Sequence, residues 1–200
     1  MKRILVVEDQ ALVRGAISSL LGLEPDIEVV GQVENGEQAL DFLKQHSVDF
    51  VLTDIEMPKM SGLELAEQIQ ALGLDVQTMI MTTFSKSGYI KRAMTLGVKA
   101  FILKESPTEY LVNAIKKVNQ GQKVIAPELA LMALDDNDPL SEKERKAIRL
   151  AGEGLKTAEI AKKLFLSEGT VRNYLSEAIA KLNATNRVDA ARIARQKGWI

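Results

Sequence analysis

The sequence predicts an α/β chain, a doubly wound parallel sheet of five strands followed by a small all-α domain. Three observations carry this. From residue 2 to about 120, short apolar runs alternate with segments whose apolar residues recur at helical spacing. The runs are apolar throughout, as strands covered on both faces must be. A breaker-rich stretch then separates this region from four short helical patterns over 140–200.

In order, Ile4, Leu5, Val6 and Val7 form the first strand and end in Glu8 and Asp9. Residues 11–23 read as a helix, stopped near Pro25. A second strand over 27–30 is closed by Gly31. Asn35 opens a helix that runs to about His46. The third strand, 50–53, delivers Asp54 at its tip, just before Ile55-Glu56-Met57-Pro58. Ser61 and Glu64 have capping-box spacing and start a helix that Gly73 ends. Residues 76–81 are a fourth strand with Thr82 at its tip, and 87–96 a short helix. Residues 100–103 are a fifth strand carrying Lys104 at its end. A helix over 108–119 precedes Gly121.

The segment 122–139 holds Pro127 and a charged run closed by Pro139, and reads as a linker in which 128–134 adds a helical turn. The chain is therefore divided into domains 1–121 and 140–200. Beyond the linker, Ser141 and Glu144 open a helix to Ala151, and Thr157 caps a helix over 158–164. A tight connection leads into 168–182, and Asn186 begins a last helix. A helix–turn–helix at the centre of four short helices is a DNA-binding geometry.

Composition narrows the function. The 200 residues are 46% hydrophobic and 26% charged, with no cysteine and one histidine. Disulfides, thiolate metal sites and thiol nucleophiles are excluded, and a reducing cytoplasm is expected. His46 is expected to be a solvated helix-end residue. No apolar stretch approaches the ~20 residues of a membrane helix, so no direct membrane association is expected. The net charge of −1 hides an asymmetry: 1–139 hold 13 basic and 20 acidic residues, whereas 140–200 hold 13 basic and 7 acidic. A basic second half suits a polyanion.

In a doubly wound sheet the strand tips share one edge, where ligands bind. Glu8, Asp9, Asp54, Thr82 and Lys104 would converge there. Clustered carboxylates repel and call for a cation, and hard oxygen ligands suit Mg²⁺. Asp54 could then attack phosphorus to form an acyl phosphate, with Lys104 and Thr82 meeting the phosphoryl oxygens.

These residues resemble the receiver domain of two-component response regulators. The resemblance implies a flavodoxin-like fold, phosphorylation of Asp54 by a sensor histidine kinase, and Mg²⁺ held by Glu8, Asp9, Asp54 and the Glu56 main-chain carbonyl. It also implies a switch made of Thr82, Lys104 and Phe101. Phe101 lacks a hydroxyl, which leaves ring burial as the moving part. Glu56 and Phe84 would flank the pocket and tune the lifetime of the acyl phosphate.

Residues 140–200 resemble the LuxR-type helix-turn-helix that ends NarL/FixJ-type regulators, through Leu140-Ser141, Glu144, Gly154, Glu159-Ile160-Ala161, Thr170-Val171, Lys181-Leu182 and Asn186-Arg187. That likeness implies a recognition helix over 168–182 in the major groove, with Arg172, Asn173 and Ser176 toward bases. Thr157, Thr170 and Lys181 would lie near phosphates. Tyr174 and Ser176 depart from residues common in the family, which puts transfer of any known target sequence in doubt. Glu8-Asp9-Gln10, Asp54-Ile55-Glu56-Met57-Pro58 and Gly169-Thr170-Val171-Arg172-Asn173-Tyr174 resemble a subgroup that includes a Bacillus regulator of a fatty-acid desaturase, and so suggest control of lipid desaturation.

The expected protein is thus no enzyme but a phosphorylation-activated transcriptional regulator that dimerises through its first and fifth helices. Leu12, Ile17, Leu20, Tyr110, Leu111 and Ile115 are the apolar candidates for that surface. Two readings compete with it. A haloacid-dehalogenase-like phosphotransferase would also use an aspartate and Mg²⁺, but it places an Asp-x-Asp pair after the first strand. A docking regulator that binds no DNA would leave the basic second half unexplained.

Overall fold

The structure, a computed structural model, describes residues 1–83, 86–134 and 138–200. The site expectation on Phe84 falls outside them. The chain divides into two compact units, one built on a sheet and one on helices.

The sheet is parallel, in the order β2-β1-β3-β4-β5-β6. Its strands are β1 (Lys2–Val7), β2 (Ile27–Val33), β3 (Phe50–Thr53), β4 (Gln77–Thr82), β5 (Ala100–Leu103) and β6 (Val124–Ile125). Helices α1 (Ala11–Leu21), α2 (Gly36–Gln45), α3 (Gly62–Ala71), α4 (Ser87–Thr95) and α5 (Thr108–Asn119) connect them. One core layer joins Ile17 and Leu21 of α1 and Leu111, Ile115 and Val118 of α5 to Ile4, Phe50 and Met79. On the opposite face Ala39 and Leu40 of α2 and Leu65 and Ile69 of α3 cover Leu5, Val7 and Val51. Both faces are buried, which is why these strands carry no polar alternation.

Two expectations are corrected. The sheet has six strands, because Val124 and Ile125 pair with Ala100 and Phe101 of β5 inside the stretch expected to be linker. A two-residue strand lacks the periodicity by which strands are recognised. It leads into α6 (Pro127–Leu134), whose Leu129 is buried while Leu131 and Leu134 are exposed. The second strand does not stop at Gly31 but runs on to Val33, with a register shift against β1 opposite Ile4 and Leu5. Gly31 lies where the Phe42 ring of α2 packs on the strand: a Cβ there would stand 2.5 Å from the ring. That glycine marks a close approach rather than a strand end.

Capping follows the sequence. Asn35 accepts the Gln38 N–H, and Ser61 and Glu64 exchange both bonds of a capping box. His46 is exposed and stacks on Phe42 with ring centroids 4.1 Å apart.

The helical unit contains α7 (Glu142–Gly152), α8 (Thr157–Leu164), α9 (Glu168–Lys181) and α10 (Arg187–Lys197). Its core is made by Ile148, Ile160, Val171, Leu175, Ala190, Ala194 and Trp199. Thr157 is the first residue of α8 rather than its cap; the Lys156 N–H preceding it donates to Glu159 Oε2 at 2.6 Å. Phe165 closes α8 in the left-handed conformation, φ 56° and ψ 45°.

Candidate functional site

The chain runs from β1 out to β2 and returns to β3 on the other side of β1, so the sheet's topological switch lies between β1 and β3. Ligands bind doubly wound sheets beyond the strand ends at such a switch. Glu8 and Asp9 follow β1, Asp54 follows β3, and the Asp54 N–H donates to the Val7 carbonyl at 3.0 Å. Carboxylate oxygens of Glu8, Asp9 and Asp54 lie within 4.8 Å of one another. Glu8 and Asp54 are buried; Asp9 is exposed and opens the cluster to solvent.

Lys104, past the end of β5, reaches into this cluster. Its Nζ is 2.6 Å from Glu8 Oε2 and 3.0 Å from Asp54 Oδ2. The other Asp54 oxygen accepts the Ile55 N–H at 2.7 Å. Burial pushes the Asp54 and Glu8 carboxyls above the usual carboxylate range, although the Lys104 ammonium opposes it at both. For Lys104, burial acts to lower the pKa, but hydrogen bonds and charge from Glu8 and Asp54 outweigh it and raise the pKa. Three carboxylates facing one ammonium leave an excess of negative charge. A hard divalent cation would offset that excess, and the all-oxygen donor set fits Mg²⁺.

Thr82 is buried at the end of β4, and the Lys104 N–H donates to its carbonyl at 2.8 Å. Phe101 is only 2% exposed, paired between Ile80 of β4 and Ile125 of β6. Glu56 is exposed two residues beyond Asp54. The structure therefore gathers Glu8, Asp9, Asp54 and Lys104 directly, with Thr82 on the adjoining strand tip and Phe101 inside the sheet.

Three residues without a predicted role hold this arrangement. Gly62, the first residue of α3, lies against the strand tip: a Cβ there would stand 1.9 Å from the Asp54 carbonyl oxygen. Arg14 of α1 donates to the Glu8 carbonyl at 2.5 Å and to the Asp9 carbonyl at 3.4 Å. The Gln10 N–H, ahead of α1, donates to Glu8 Oε1 at 3.3 Å. A basic residue one turn into the helix after an acidic pair was the available signal.

In the helical unit, Val171, Leu175 and Ala178 turn α9 inward. Arg172, Asn173 and Ser176 are all exposed, on one face. Arg172 makes a surface ion pair with Glu168 at 3.2 Å, a weak contact that exchanges readily. Thr157 and Thr170 are half-buried, and Thr170 Oγ1 lies 2.8 Å from Ser167 Oγ.

Lys181 is placed differently from the other five. Its Nζ lies 2.8 Å from both carboxylate oxygens of the buried Glu144, so the ammonium is committed within the unit. Burial would raise the Glu144 carboxyl, but Lys181, the Ser141 N–H and a hydrogen bond with Glu177 outweigh it and hold it below the usual range.

Comparison with known proteins follows the same division. Residues 4–116 match the response regulator receiver domain, and residues 138–194 match the bacterial regulatory proteins of the luxR family. An uncharacterized transcriptional regulatory protein of Bacillus subtilis, YvfU, is 44% identical over 200 residues, covering all of both chains. The transcriptional regulatory protein DesR of the same organism is 43% identical over 197 residues, covering 98% of each. Among solved structures, the response regulator ChrA of a heme-sensing two-component system aligns over 99% of this chain and 98% of its own, at 29% identity and a TM-score of 0.56. RcsB of Salmonella enterica serovar Typhimurium, bound to the rprA promoter, shares the fold at 22% identity and a TM-score of 0.69, over 96% of this chain and 97% of its own. The curated relatives matched over their full length are transcriptional regulators.

Proposed function

The chain belongs to the response regulators that join a receiver domain to a luxR-family DNA-binding domain, and on that premise we propose that Asp54 is the phosphoacceptor of a switch controlling operator binding. The observation that carries this is the cluster itself. Asp54 has one oxygen held by Lys104 and the other by the Ile55 N–H, at the topological switch of the sheet.

The donor would be a phosphohistidine on a sensor kinase. An Asp54 oxygen attacks phosphorus in line, the P–N bond breaks, and the histidine nitrogen leaves with the bonding pair. Glu8, Asp9, Asp54 and the Glu56 carbonyl would hold Mg²⁺, which neutralises phosphoryl charge when bound. Lys104 already lies 3.0 Å from Asp54 and would follow the new charge as a point cation. Its main chain is bonded to Thr82, so Thr82 and β5 would be drawn with it. Phe101, already inward, would then be held there.

The output would be pairing of two chains. Of the six apolar candidates on α1 and α5, Ile17, Leu111 and Ile115 are core, and Tyr110 is half-buried. Leu12 and Leu20 are exposed and supply the α1 part of the surface. Two chains would present two copies of α9 to half-sites about one helical turn apart. Arg172, Asn173 and Ser176 would face bases, with Thr157 and Thr170 near phosphates. Among the described residues no helix is long and apolar enough to cross a membrane; DNA as the partner supports a cytoplasmic location. Control of lipid desaturation draws no support from the site geometry and stays outside the proposal.

The test is binding to genomic fragments at fixed salt by wild type and Asp54→Ala, with and without acetyl phosphate and Mg²⁺. Tightening by phosphate in the wild type alone is expected. Specific binding that ignores phosphate would remove the switch, and no specific binding at all would remove the DNA reading.

A further inference from the structure

Phe165 occupies the turn between α8 and α9 at φ 56° and ψ 45°. This is the left-handed region, which strains a residue with a Cβ and which glycine or asparagine occupies at least cost. What the fold needs from this position is its backbone. The Phe165 N–H donates to the Lys162 carbonyl at 3.3 Å, and the Leu166 N–H donates to the Ala161 carbonyl at 2.9 Å. Leu166 tucks against the core of the helical unit. The ring of Phe165 does not: it is 95% exposed. A strained position thus carries the bulkiest exposed apolar group among the described residues, and folding gains nothing from the ring.

The surroundings indicate what the ring meets. It follows the exposed Lys162 and Lys163 and precedes Ser167, which caps the first turn of α9. Arg172 and Asn173 lie one turn further along α9. Exposed cations precede the ring along the chain, and the helix end that would enter a groove follows it. A duplex offers apolar surface there in its deoxyribose faces and thymine methyl groups.

Resting on the reading of α9 as a recognition helix, we propose that Phe165 is a DNA-contacting residue, packing on sugar and thymine-methyl surface where α9 enters the groove. Lys162 and Lys163 neutralise the phosphates beside it. An apolar contact releases no counterions, so its contribution is independent of salt.

The experiment uses the full chain and a fragment that the wild type selects, measured by fluorescence anisotropy over a salt series. Phe165→Asn is expected to weaken binding roughly tenfold at every salt concentration, leaving the slope of log affinity on log salt unchanged. Its unfolding midpoint, followed through Trp199, should equal or exceed that of the wild type, because asparagine tolerates the left-handed turn. Affinity within about twofold of wild type overturns the proposal, including the case where transcription falls without it and the ring meets a protein instead. A lowered midpoint also overturns it, since the ring would then be part of the fold. If the wild type selects no fragment, the reading of α9 fails first and this inference with it.

Discussion

Replacing Glu144 by glutamine tests how the helical unit is held together. The carboxylate accepts two contacts of 2.8 Å from Lys181 Nζ and one of 2.8 Å from the Ser141 N–H, joining the start of α7 to the end of α9. An amide is neutral and has one accepting oxygen, so it keeps at most the two contacts that converge on Oε2 and carries no charge for the ammonium. A hydrogen bond to a charged group contributes about 1.5–3 kcal/mol. Lys181 is 40% exposed and recovers water when released, which places the loss toward the lower end. With the Oε1 contact gone and no charge behind the remaining ones, the expected destabilisation is about 2 kcal/mol. For a unit of this size that is a fall of about 2 M in the urea midpoint. Trp199, the single tryptophan, is in the core of this unit, so its fluorescence reports the unit selectively.

The same variant carries a pH signature. The Glu144 carboxyl is held below its usual value of 4.5 in the folded unit. Its contribution is therefore complete above that value and is lost as pH falls through the lower, folded one. The gap between wild type and Glu144→Gln should be constant from neutral pH down toward the usual value of 4.5 and close as pH falls below it. A shift under about 0.5 M at neutral pH, or a gap that persists into acid, would refute the account.

Other outcomes follow from the same contacts. Gly62→Ala places a Cβ against the Asp54 carbonyl and should cost about 1–3 kcal/mol while slowing labelling by acetyl phosphate; a stable variant labelled at the normal rate contradicts the packing described. Leu12→Asp, at a residue 86% exposed, should change stability by less than about 0.5 kcal/mol yet abolish phosphate-dependent dimers in light scattering. Ile17→Ala on the buried side of α1 should instead cost about 2–5 kcal/mol; equal effects from the two would remove α1 from the dimer surface. Lys181→Met should leave the salt slope of DNA binding unchanged, whereas Lys162→Met should lower it by about 1. A lowered slope in Lys181→Met would return that ammonium to the phosphates.

What the sequence revealed depended on periodicity and on strand tips. The wholly apolar runs at 4–7 and 50–53 and the capping pairs Ser61/Glu64 and Ser141/Glu144 placed those elements within a residue or two. The acidic cluster was legible because sheet topology brings strand ends together whatever lies between them. Gly31 and Gly62 were misread or passed over for a common reason: a glycine that admits a neighbour's ring or carbonyl looks like punctuation until the neighbour is seen. Lys181 shows a similar limit. Its charge was visible, but its partner lies 37 residues earlier, and no local pattern announces an ion pair of that span. β6 was hidden by its length alone.

The strand register also sets how the sheet can form. Every pairing in the sheet joins distant segments: Lys2 lies opposite Ile27, Ile4 opposite Phe50, Phe50 opposite Gln77, and Ala100 opposite Val124. No strand can zip against its neighbour from a hairpin, so each pairing waits on the closure of a loop. The helical unit also closes over distance, since α9 and α10 both pack on α7. As the chain leaves the ribosome, β1 therefore cannot begin the sheet alone: its apolar run waits until β2 and β3 have followed it.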